Sequence, residues 1–265
     1  MPNWIYSTIT FSGAEEAVHK LIKIGLENSR LHSTGNMRRD FGLLVSEGKT
    51  QHPNTDTHQV ELVKGLTART FLPSPETFLL YDTTNYPDKY PEAAKEQQER
   101  YGEVGWYDYN IQSLGVKWDF DLAEFDLQPF DELGIWTIHM DTETAWDYPD
   151  QWLIQIKEMV PELDVSIRAV LDVDENDDLI EFWGYVENGE LVEGLSQLEI
   201  EMRRLMIEDN YKDTYPTAVS VAVEAGADGH HPVIREMKEK GYRLVEHDTL
   251  GNTRNYFATI LTFSK

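Results

Sequence analysis

The chain has 265 residues, of which 40% are hydrophobic and 11% aromatic, so it can bury a sizeable core in one large domain or two small ones. It contains no cysteine, which excludes disulfides and cysteine-ligated metal sites and favours an intracellular protein. No apolar run approaches the roughly 18 residues of a membrane helix, and the start MPNWIYSTITF lacks the basic region of a secretory signal. We therefore expect a cytoplasmic protein with no membrane contact.

The negative charge of the chain is concentrated in one segment. The formal net charge is −25, and residues 119–190 carry 21 acidic and only two basic side chains, a net charge of −19. The remaining residues carry 27 acids and 21 bases, a net charge of −6. Such a field repels nucleic acid and attracts basic surfaces, so we expect no direct nucleic-acid binding.

The N-terminal pattern predicts a strand over residues 3–11 and a helix over residues 14–26, because β-formers alternate in the first and apolar residues recur at helical spacing in the second. A short strand is expected at 41–45 and a short helix at 57–64. Ala68–Leu72 reads as a second strand, which Pro73 and Pro75 end.

Residues 105–119, with the sequence GWYDYNIQSLGVKWD, follow a predicted helix at 92–101. This stretch contains four amphipathic aromatic side chains and the sequence Lys117–Trp118–Asp119. Aromatic residues at this density need both an apolar neighbourhood and hydrogen-bond partners. We interpret the stretch as a packed structural signature.

The middle of the chain predicts a strand at 133–145, a helix at 147–160 and a strand at 164–173. A return strand at 179–186 completes a hairpin around DENDD at 174–178, and Asn188–Gly189 is a strong signal for a tight turn.

The C-terminal part predicts a helix at 191–210, a strand at 217–223, a helix at 231–240 and a hairpin formed by residues 242–246 and 256–263. We expect a domain over 1–190 and a smaller βαββ extension over 191–265. The predicted class is α+β with a mixed, mainly antiparallel sheet.

Six short segments along the chain form a recognisable series: Asn3–Trp4, Pro73–Glu76, Trp106–Asn110, Gly115–Asp119, Thr144–Pro149 and Phe182–Gly184. In this order they resemble an uncharacterised family carried by phages, plasmids and pathogenicity islands, whose conserved region is called the YubB ferredoxin-like domain. The resemblance covers roughly residues 1–190. Its signature residues are Trp4, Trp106, Lys117, Trp118, Asp119 and Trp146.

The resemblance implies a ferredoxin-like α/β sandwich and a mobile-element protein in a bacterial cytoplasm. It brings no catalytic residues with it. This chain departs from the family in its acidic middle and in the extension after residue 190.

The sequence contains two patterns of possible metal ligands. His139, Asp141 and Glu143 alternate along one predicted strand, so an imidazole and two carboxylates share a face and are weak candidates for a divalent metal. The sequence from Asp172 imitates the first half of a calcium loop, but Asp177 and Trp183 stand where that loop needs glycine and glutamate. The prediction is no cofactor.

Acidic residues in two groups are the candidate partner-binding residues, because carboxylates on a rigid sheet and hairpin can replace phosphates in a Lys/Arg-lined channel. The first group surrounds the hairpin turn and the second opens the acidic segment: Asp172, Asp174, Glu175, Asp177, Asp178 and Glu181; Asp119, Asp121, Glu124 and Asp126.

Function is expected to be inhibition of a host protein, such as a CRISPR or restriction nuclease, by DNA mimicry and without catalysis. A metal-dependent enzyme using His139, Asp141 and Glu143, and a structural or dimerising accessory domain, remain open alternatives. The sequence does not indicate the oligomeric state.

Replacing Asp174, Glu175, Asp177 and Asp178 by Asn or Gln tests the hairpin turn. We expect the variant to fold and its melting temperature to rise slightly at low salt, because like charges this close repel each other. Binding to a basic partner should weaken, mainly through slower association. Calorimetry and stopped-flow kinetics provide the two measurements, and an unfolded or less stable variant would contradict the prediction.

Overall fold

The computed structural model describes residues 4–31, 66–75, 77–78, 83–84, 86–173, 179–224, 230–251 and 256–265. Its class is α+β with antiparallel sheets, as predicted. The expected elements at 41–45 and 57–64 and the turn 174–178 lie outside the described residues. None of the described helices is both long enough and apolar enough to cross a membrane.

Ten strands lie in the described part of the chain: β1 Trp4–Gly13, β2 Leu66–Thr67, β3 Asp121–Phe130, β4 Ile135–Ala145, β5 Asp164–Val173, β6 Leu179–Glu187, β7 Glu190–Glu193, β8 Val219–Glu224, β9 Arg243–Gly251 and β10 Tyr256–Ser264. The helices are α1 Glu15–Leu31, α2 Ala68–Phe71, α3 Pro91–Tyr101, α4 Trp106–Leu114, α5 Asp150–Met159, α6 Gln197–Lys212 and α7 His230–Glu239, with a 3-10 turn at Pro87–Lys89.

The strands form a seven-stranded sheet with the order β2-β3-β4-β1-β5-β6-β7 and a three-stranded sheet with the order β8-β10-β9. Strand β1 is antiparallel to both β4 and β5, pairing Ile9 with Met140 on one side and with Ile167 on the other. β3 is antiparallel to β4 and β2. Chain order through the middle of the larger sheet is therefore β1-α1-β3-β4-α5-β5, apart from the segments inserted between α1 and β3.

The chain divides into two compact units. The larger unit comprises Met1–Leu171 and Val186–Leu191, and the smaller unit comprises Asp172–Tyr185 and Val192–Lys265. The sequence predicts a boundary after residue 190; in this division the end of β5 and most of β6 are grouped with the C-terminal residues.

The core of the larger unit lies between one face of its sheet and the helices α1 and α5. Trp152 of α5 is completely buried, and the rings of Phe11, Phe71 and Phe120 meet its indole edge-on at 5.5–6.0 Å. Its indole N–H donates to the Ala68 carbonyl at 3.2 Å. One side chain thus joins β1, α2, α5 and the residue that precedes β3.

The smaller unit has a helix on each face of its three-stranded sheet. Ile200 and Ile207 of α6 pack on one face around Ala258 and Ile260. Met237 of α7 packs on the other face with Leu261 and Phe263, among other residues. Alternate residues of β10 therefore serve two separate cores, as strand geometry requires.

Two predicted elements are wrong. Ala68–Leu72 is not a strand: residues 68–71 form α2, because Thr70 bonds back to Thr67 and the Ala68 N–H donates to the Phe120 carbonyl at 3.0 Å. The helix expected from residue 191 begins at Gln197, where the Ser196 hydroxyl accepts from the Glu199 N–H at 3.1 Å. Residues 190–193 before it form β7.

Strand β3 was not predicted from the sequence. Its pattern is obscured because a register shift between Ala123 and Asp126 interrupts the alternation and Pro129 stands near its end. The turn at Asn188–Gly189 is confirmed, since both residues have positive φ (52° and 81°) as a tight hairpin turn of this type needs.

Replacing Trp152 by alanine should lower the free energy of unfolding by about 3–5 kcal/mol, because the largest buried side chain of the core is lost together with its hydrogen bond. Urea unfolding followed by circular dichroism measures this change. Trp4→Ala is the matched control, since Trp4 is 47% exposed and its loss should cost within about 0.5 kcal/mol. Equal effects of the two substitutions would contradict this account of the core.

Candidate functional site

Three exposed aromatic side chains of the larger unit surround one ammonium group. The Lys117 Nζ lies 4.8 Å from the ring centroid of Trp118, 5.4 Å from that of Tyr107 and 5.5 Å from that of Trp146. The two indoles also contact each other, with centroids 5.2 Å apart and a tilt of 34°. Cation–π attraction at these distances orders rings that water alone would leave mobile. We call Tyr107, Lys117, Trp118 and Trp146 the aromatic cluster.

The rings of the aromatic cluster remain accessible although they are ordered. The exposed fractions are 38% for Tyr107, 40% for Trp118 and 51% for Trp146. Large aromatic side chains of soluble proteins rarely gather on a surface in this way unless they bind something. Tryptophan and tyrosine also supply many of the residues that dominate the energy of protein interfaces.

Trp146 has a strained backbone. Its φ is 70°, in a region that costs a bulky residue about 1–3 kcal/mol and that glycine would occupy freely. The following loop holds this conformation, since the Thr144 hydroxyl donates to the Asp147 carbonyl at 2.6 Å and the Tyr148 N–H donates to Asp147 Oδ1 at 2.9 Å. The strained backbone thus keeps the Trp146 indole beside Trp118 with much of its surface exposed.

The loop that carries Lys117 and Trp118 is fixed by α4. Asn110 of α4 donates from Nδ2 to the Lys117 carbonyl at 2.8 Å. Gly115 ends the helix with a φ of 81°, and a Cβ there would lie 2.0 Å from Oδ1 of Asp150. Only glycine allows this close approach of the loop to the start of α5.

Tyr107 is positioned from the other end of α4 by a buried amide. Gln97 accepts from the Gly105 N–H at 3.1 Å and donates to the Thr77 carbonyl at 2.9 Å. Gly105 has a φ of 96°, and a side chain there would collide with Thr84. The turn before α4 is thus determined by glycine and by a buried glutamine with its hydrogen bonds satisfied.

Arg69 of α2 lies beneath the aromatic cluster. Its guanidinium donates to Ser113 Oγ at 2.8 Å, to the Leu72 carbonyl at 3.2 Å and to the Asn110 side-chain carbonyl. It also stacks over the Tyr109 ring at 5.0 Å, and burial lowers its pKa below the ordinary value. Because Asn110 also binds the Lys117 carbonyl, Arg69 and the cluster are two bonds apart in one network.

Asp119 caps α2 with its carboxylate. Its Oδ1 accepts the backbone N–H groups of Arg69 and Phe120, each at 3.0 Å. The residue as a whole is exposed, but its carboxyl group lies deep enough for burial to raise its pKa. The Thr67 hydroxyl, these N–H groups and the Arg69 charge oppose that rise without cancelling it. The structure gives this residue a local structural role.

The other candidate acids have different surroundings. Asp121 begins β3 and is exposed, whereas Glu181 is half-buried and accepts the Trp183 indole N–H at 2.9 Å. Glu124, Asp126 and Asp172 lie in strands, but their side chains are outside the described residues. So are Asp174, Glu175, Asp177 and Asp178, which include the residues of the calcium-like pattern.

The remaining signature residues lie outside the aromatic cluster. Trp106 begins α4 and meets Tyr107 edge-on at 6.1 Å. Trp4 begins β1 opposite Ala145, the residue before Trp146, and is 47% exposed.

His139, Asp141 and Glu143 share the sheet face opposite the helices, as the alternation predicted. Each is bonded across to β1: Thr8 donates to Asp141 at 2.7 Å, Thr10 lies 3.0 Å from Nδ1 of His139, and Tyr6 shares a hydrogen bond with Glu143. Among the described residues no three His, Asp or Glu side chains stand close enough to hold a metal ion. The three weak metal candidates therefore form polar side-chain contacts between β4 and β1.

Sequence reasoning missed the role of Arg69 and the convergence of the cluster. Trp118 and Trp146 are 28 positions apart, and nothing in the spacing indicates that they meet. The strand predicted at residues 68–72 is in fact a helix, and Asp119 accepts the backbone N–H of Arg69 at its start.

Comparison with known proteins adds little to these observations. No known family profile matches the chain, and no curated protein matches it. Among solved structures, protein api92 from Yersinia pseudotuberculosis, of the family DUF1281, matches with 11% identity and a TM-score of 0.32. The match covers 74% of this chain and 98% of that one, but its TM-score is too low to carry an argument.

Substituting Asp119 by asparagine, which retains the accepting oxygen, should reveal the cost of ionising a buried carboxyl. A pKa raised on folding adds stability below the unfolded value of 3.8 and removes it as the pH rises through the folded value. The free energy of unfolding of the wild type should therefore fall relative to Asp119→Asn as the pH rises from about 4.

Urea unfolding over a pH series measures this difference. Asp121→Asn controls for the loss of one negative charge nearby, since Asp121 does not cap α2. The assignment would be refuted if the free energy of unfolding of the wild type, minus that of Asp119→Asn, stayed constant or rose with pH.

Proposed function

We propose that the protein acts by binding a basic protein surface, with the aromatic cluster as the centre of the interface. The observation that carries the proposal is the group of three exposed rings held around Lys117. Interfaces concentrate their energy in a few Trp, Tyr and Arg side chains surrounded by a polar rim. Ordered rings also lose little conformational entropy when a partner arrives.

Charge determines the kind of partner. Asp121 and Asp147 are exposed and Asp150 is half-buried, and these carboxylates lie along the chain close to Trp118 and Trp146. The whole chain carries a net charge of −25, which accelerates encounter with positive surfaces and disfavours acidic ones. A partner that offers arginine or lysine side chains would find aromatic faces and carboxylates together.

The fold proposed for the larger unit is ferredoxin-like. The chain order β1-α1-β3-β4-α5-β5 and the spatial order β3-β4-β1-β5 support it, as does the placement of both helices on one sheet face. We also keep the proposal that the protein belongs to the YubB-type family of phages and plasmids and works in the cytoplasm of a bacterial host. The motifs that suggested this family include all four residues of the aromatic cluster.

In that setting the basic partner is a host protein whose groove normally holds nucleic acid. An acidic surface that occupies such a groove inhibits a defence nuclease of the CRISPR or restriction type without catalysis. Nucleic-acid-binding proteins stack bases on aromatic side chains, and exposed indole rings offer such a groove a flat aromatic face of the same kind. The combination of rings and carboxylates supports mimicry better than charge alone would.

Trp146→Gly separates binding from folding. Glycine accepts the positive φ without strain, which offsets the lost ring contacts, so the free energy of unfolding should change by less than about 1 kcal/mol. Capture of host proteins on immobilised wild type, followed by mass spectrometry, identifies the partner. Affinity of the purified partner for Trp146→Gly should then be at least about tenfold lower.

Tyr86→Gly is the matched control, because Tyr86 is 56% exposed and stands outside the aromatic cluster. Binding of the wild type should weaken steeply between about 50 and 200 mM salt and should compete with DNA for the partner. The proposal would be overturned if the partner bound Trp146→Gly as tightly as the wild type. It would also be overturned if the affinity did not depend on salt or if DNA did not compete.

A further inference from the structure

The ammonium group of Lys117 is held by aromatic rings and not by a carboxylate. Lys117 is half-buried, and its Nζ contacts the three rings of the aromatic cluster. In the described part of the chain no Asp or Glu forms an ion pair with it, whereas Lys95 and Lys212 each pair with a glutamate, at 3.8 and 3.4 Å. Because cation–π attraction at an exposed site is weak, another cation can displace this ammonium from the rings.

The distances within the aromatic cluster suit a nitrogen that carries methyl groups. An N–C bond of about 1.5 Å, followed by a carbon–carbon contact of about 3.5–4.0 Å, places a methylated nitrogen about 5.0–5.5 Å from a ring. The Lys117 Nζ lies 4.8, 5.4 and 5.5 Å from the three ring centroids. A quaternary nitrogen at the position of this Nζ would therefore bring its methyl groups into van der Waals contact with the rings.

Hydration decides which cation gains by replacing Lys117. An unmodified lysine of a partner gains little, because its ammonium is as strongly hydrated as the one that it displaces. A trimethylated lysine keeps its positive charge but has no N–H to donate to water, so it loses less hydration when it reaches the rings. Quaternary ammonium groups are accordingly the cations that sites built from several aromatic rings recognise.

The openness of the site indicates what carries the cation. Tyr107, Trp118 and Trp146 are 38%, 40% and 51% exposed, so the rings form a surface and do not enclose a ligand. Sites for small molecules are concave and bury most of the ligand surface. A side chain that extends from a second protein needs no such enclosure, because the rest of that protein makes further contacts around the rings.

We propose that the aromatic cluster binds a trimethylated lysine side chain of the partner protein, whose quaternary nitrogen takes the place of the Lys117 ammonium. This inference rests on the proposed function, since it takes the ligand to be a protein. The Lys117 side chain moves into water, while its backbone stays in place because the Asn110 amide holds its carbonyl. The rings stay ordered, because the incoming cation makes the contacts that Lys117 gives up.

The first test follows the indole N–H signals of the full chain by NMR during titration with a blocked Gly-Ser-Lys-Ser-Gly peptide whose lysine is trimethylated. The chain has seven tryptophans, and Trp118→Phe and Trp146→Phe assign the two signals of the cluster. We expect the largest shifts at these two. The unmodified peptide, and one in which a carbon replaces the quaternary nitrogen, should bind at least about fivefold more weakly. Equal binding of the three peptides would overturn the proposal.

Variants of Lys117 test the exchange of cations. Lys117→Gln removes the competing ammonium and should strengthen binding of the trimethylated peptide about three- to tenfold. Lys117→Arg keeps a cation on the rings and should bind no more tightly than the wild type. Lys95→Gln, at an exposed lysine of α3, is the charge-matched control and should bind like the wild type. Lys117→Gln that binds no more tightly than Lys95→Gln would refute the exchange.

Trp118→Ala removes the ring nearest to the Lys117 Nζ and should weaken binding of the trimethylated peptide at least about fivefold. This variant locates the site without depending on how the rings settle in Lys117→Gln, and unchanged binding would refute the site. Tetramethylammonium that binds as tightly as the peptide would refute a protein side chain as the ligand.

The captured partner distinguishes this inference from the proposed function. Mass spectrometry should find a trimethylated lysine in it, and the same protein made by cell-free synthesis without the modification should bind at least about fivefold more weakly. A partner that loses affinity for Trp146→Gly but carries no methylated lysine would overturn this inference and leave the proposed function standing.

Discussion

The four residues of α2, with the residue before them, hold several elements of the larger unit together through hydrogen bonds. Ala68 receives the indole N–H of Trp152 on α5 and donates its own N–H to Phe120. Arg69 donates its backbone N–H to Asp119 and its guanidinium to α4. A helix this short has no independent stability, so its conformation depends on these partners. In return it connects α4, α5 and the two residues that precede β3.

The aromatic cluster depends on the same network. Arg69 orients the Asn110 amide, and that amide holds the carbonyl of Lys117. The Lys117 ammonium in turn contacts three rings, which belong to α4, to its own loop and to the residue after β4. A buried guanidinium bonded mainly to neutral acceptors is costly unless nearby charge compensates it, and the Asp119 carboxylate provides that compensation through space. The exposed aromatic cluster and the buried Arg69 guanidinium therefore belong to one hydrogen-bonded network.

The elements that sequence reasoning predicted correctly are those whose pattern is local. β4 alternates cleanly, α5 carries Trp152, Leu153 and Ile156 at helical spacing, and Asn188–Gly189 is sufficient for its turn. Each of these is specified by residues within one element. The turn at Asn188–Gly189 needs only two residues with positive φ, and both lie side by side in the sequence.

The elements that failed are those whose conformation depends on distant residues. The cap of α2 comes from Asp119, 50 positions further along the chain from Arg69. Strand β3 contains a register shift after Ala123, so it can be recognised only from its pairing with β4. The aromatic stretch is packed in part, since Tyr109 stacks on Phe78 at 4.4 Å whereas Tyr107 and Trp118 are exposed. Its exposed half could not be predicted, because Trp146 reaches Trp118 only through a strained backbone, and strain of this kind leaves no mark on the pattern of residue types.

Charge and aromatic surface contribute differently to the proposed interaction. A net charge of −25 acts over about 10 Å at moderate salt and sets how fast a basic partner arrives, with little ability to choose between partners. Ordered rings act only in contact, and they determine which bound partner dissociates slowly. Carboxylates alone would therefore bind many basic proteins weakly. Because Lys117 holds the Trp118 and Trp146 rings in place, the proposed interface combines this long-range attraction with a contact surface that selects one partner.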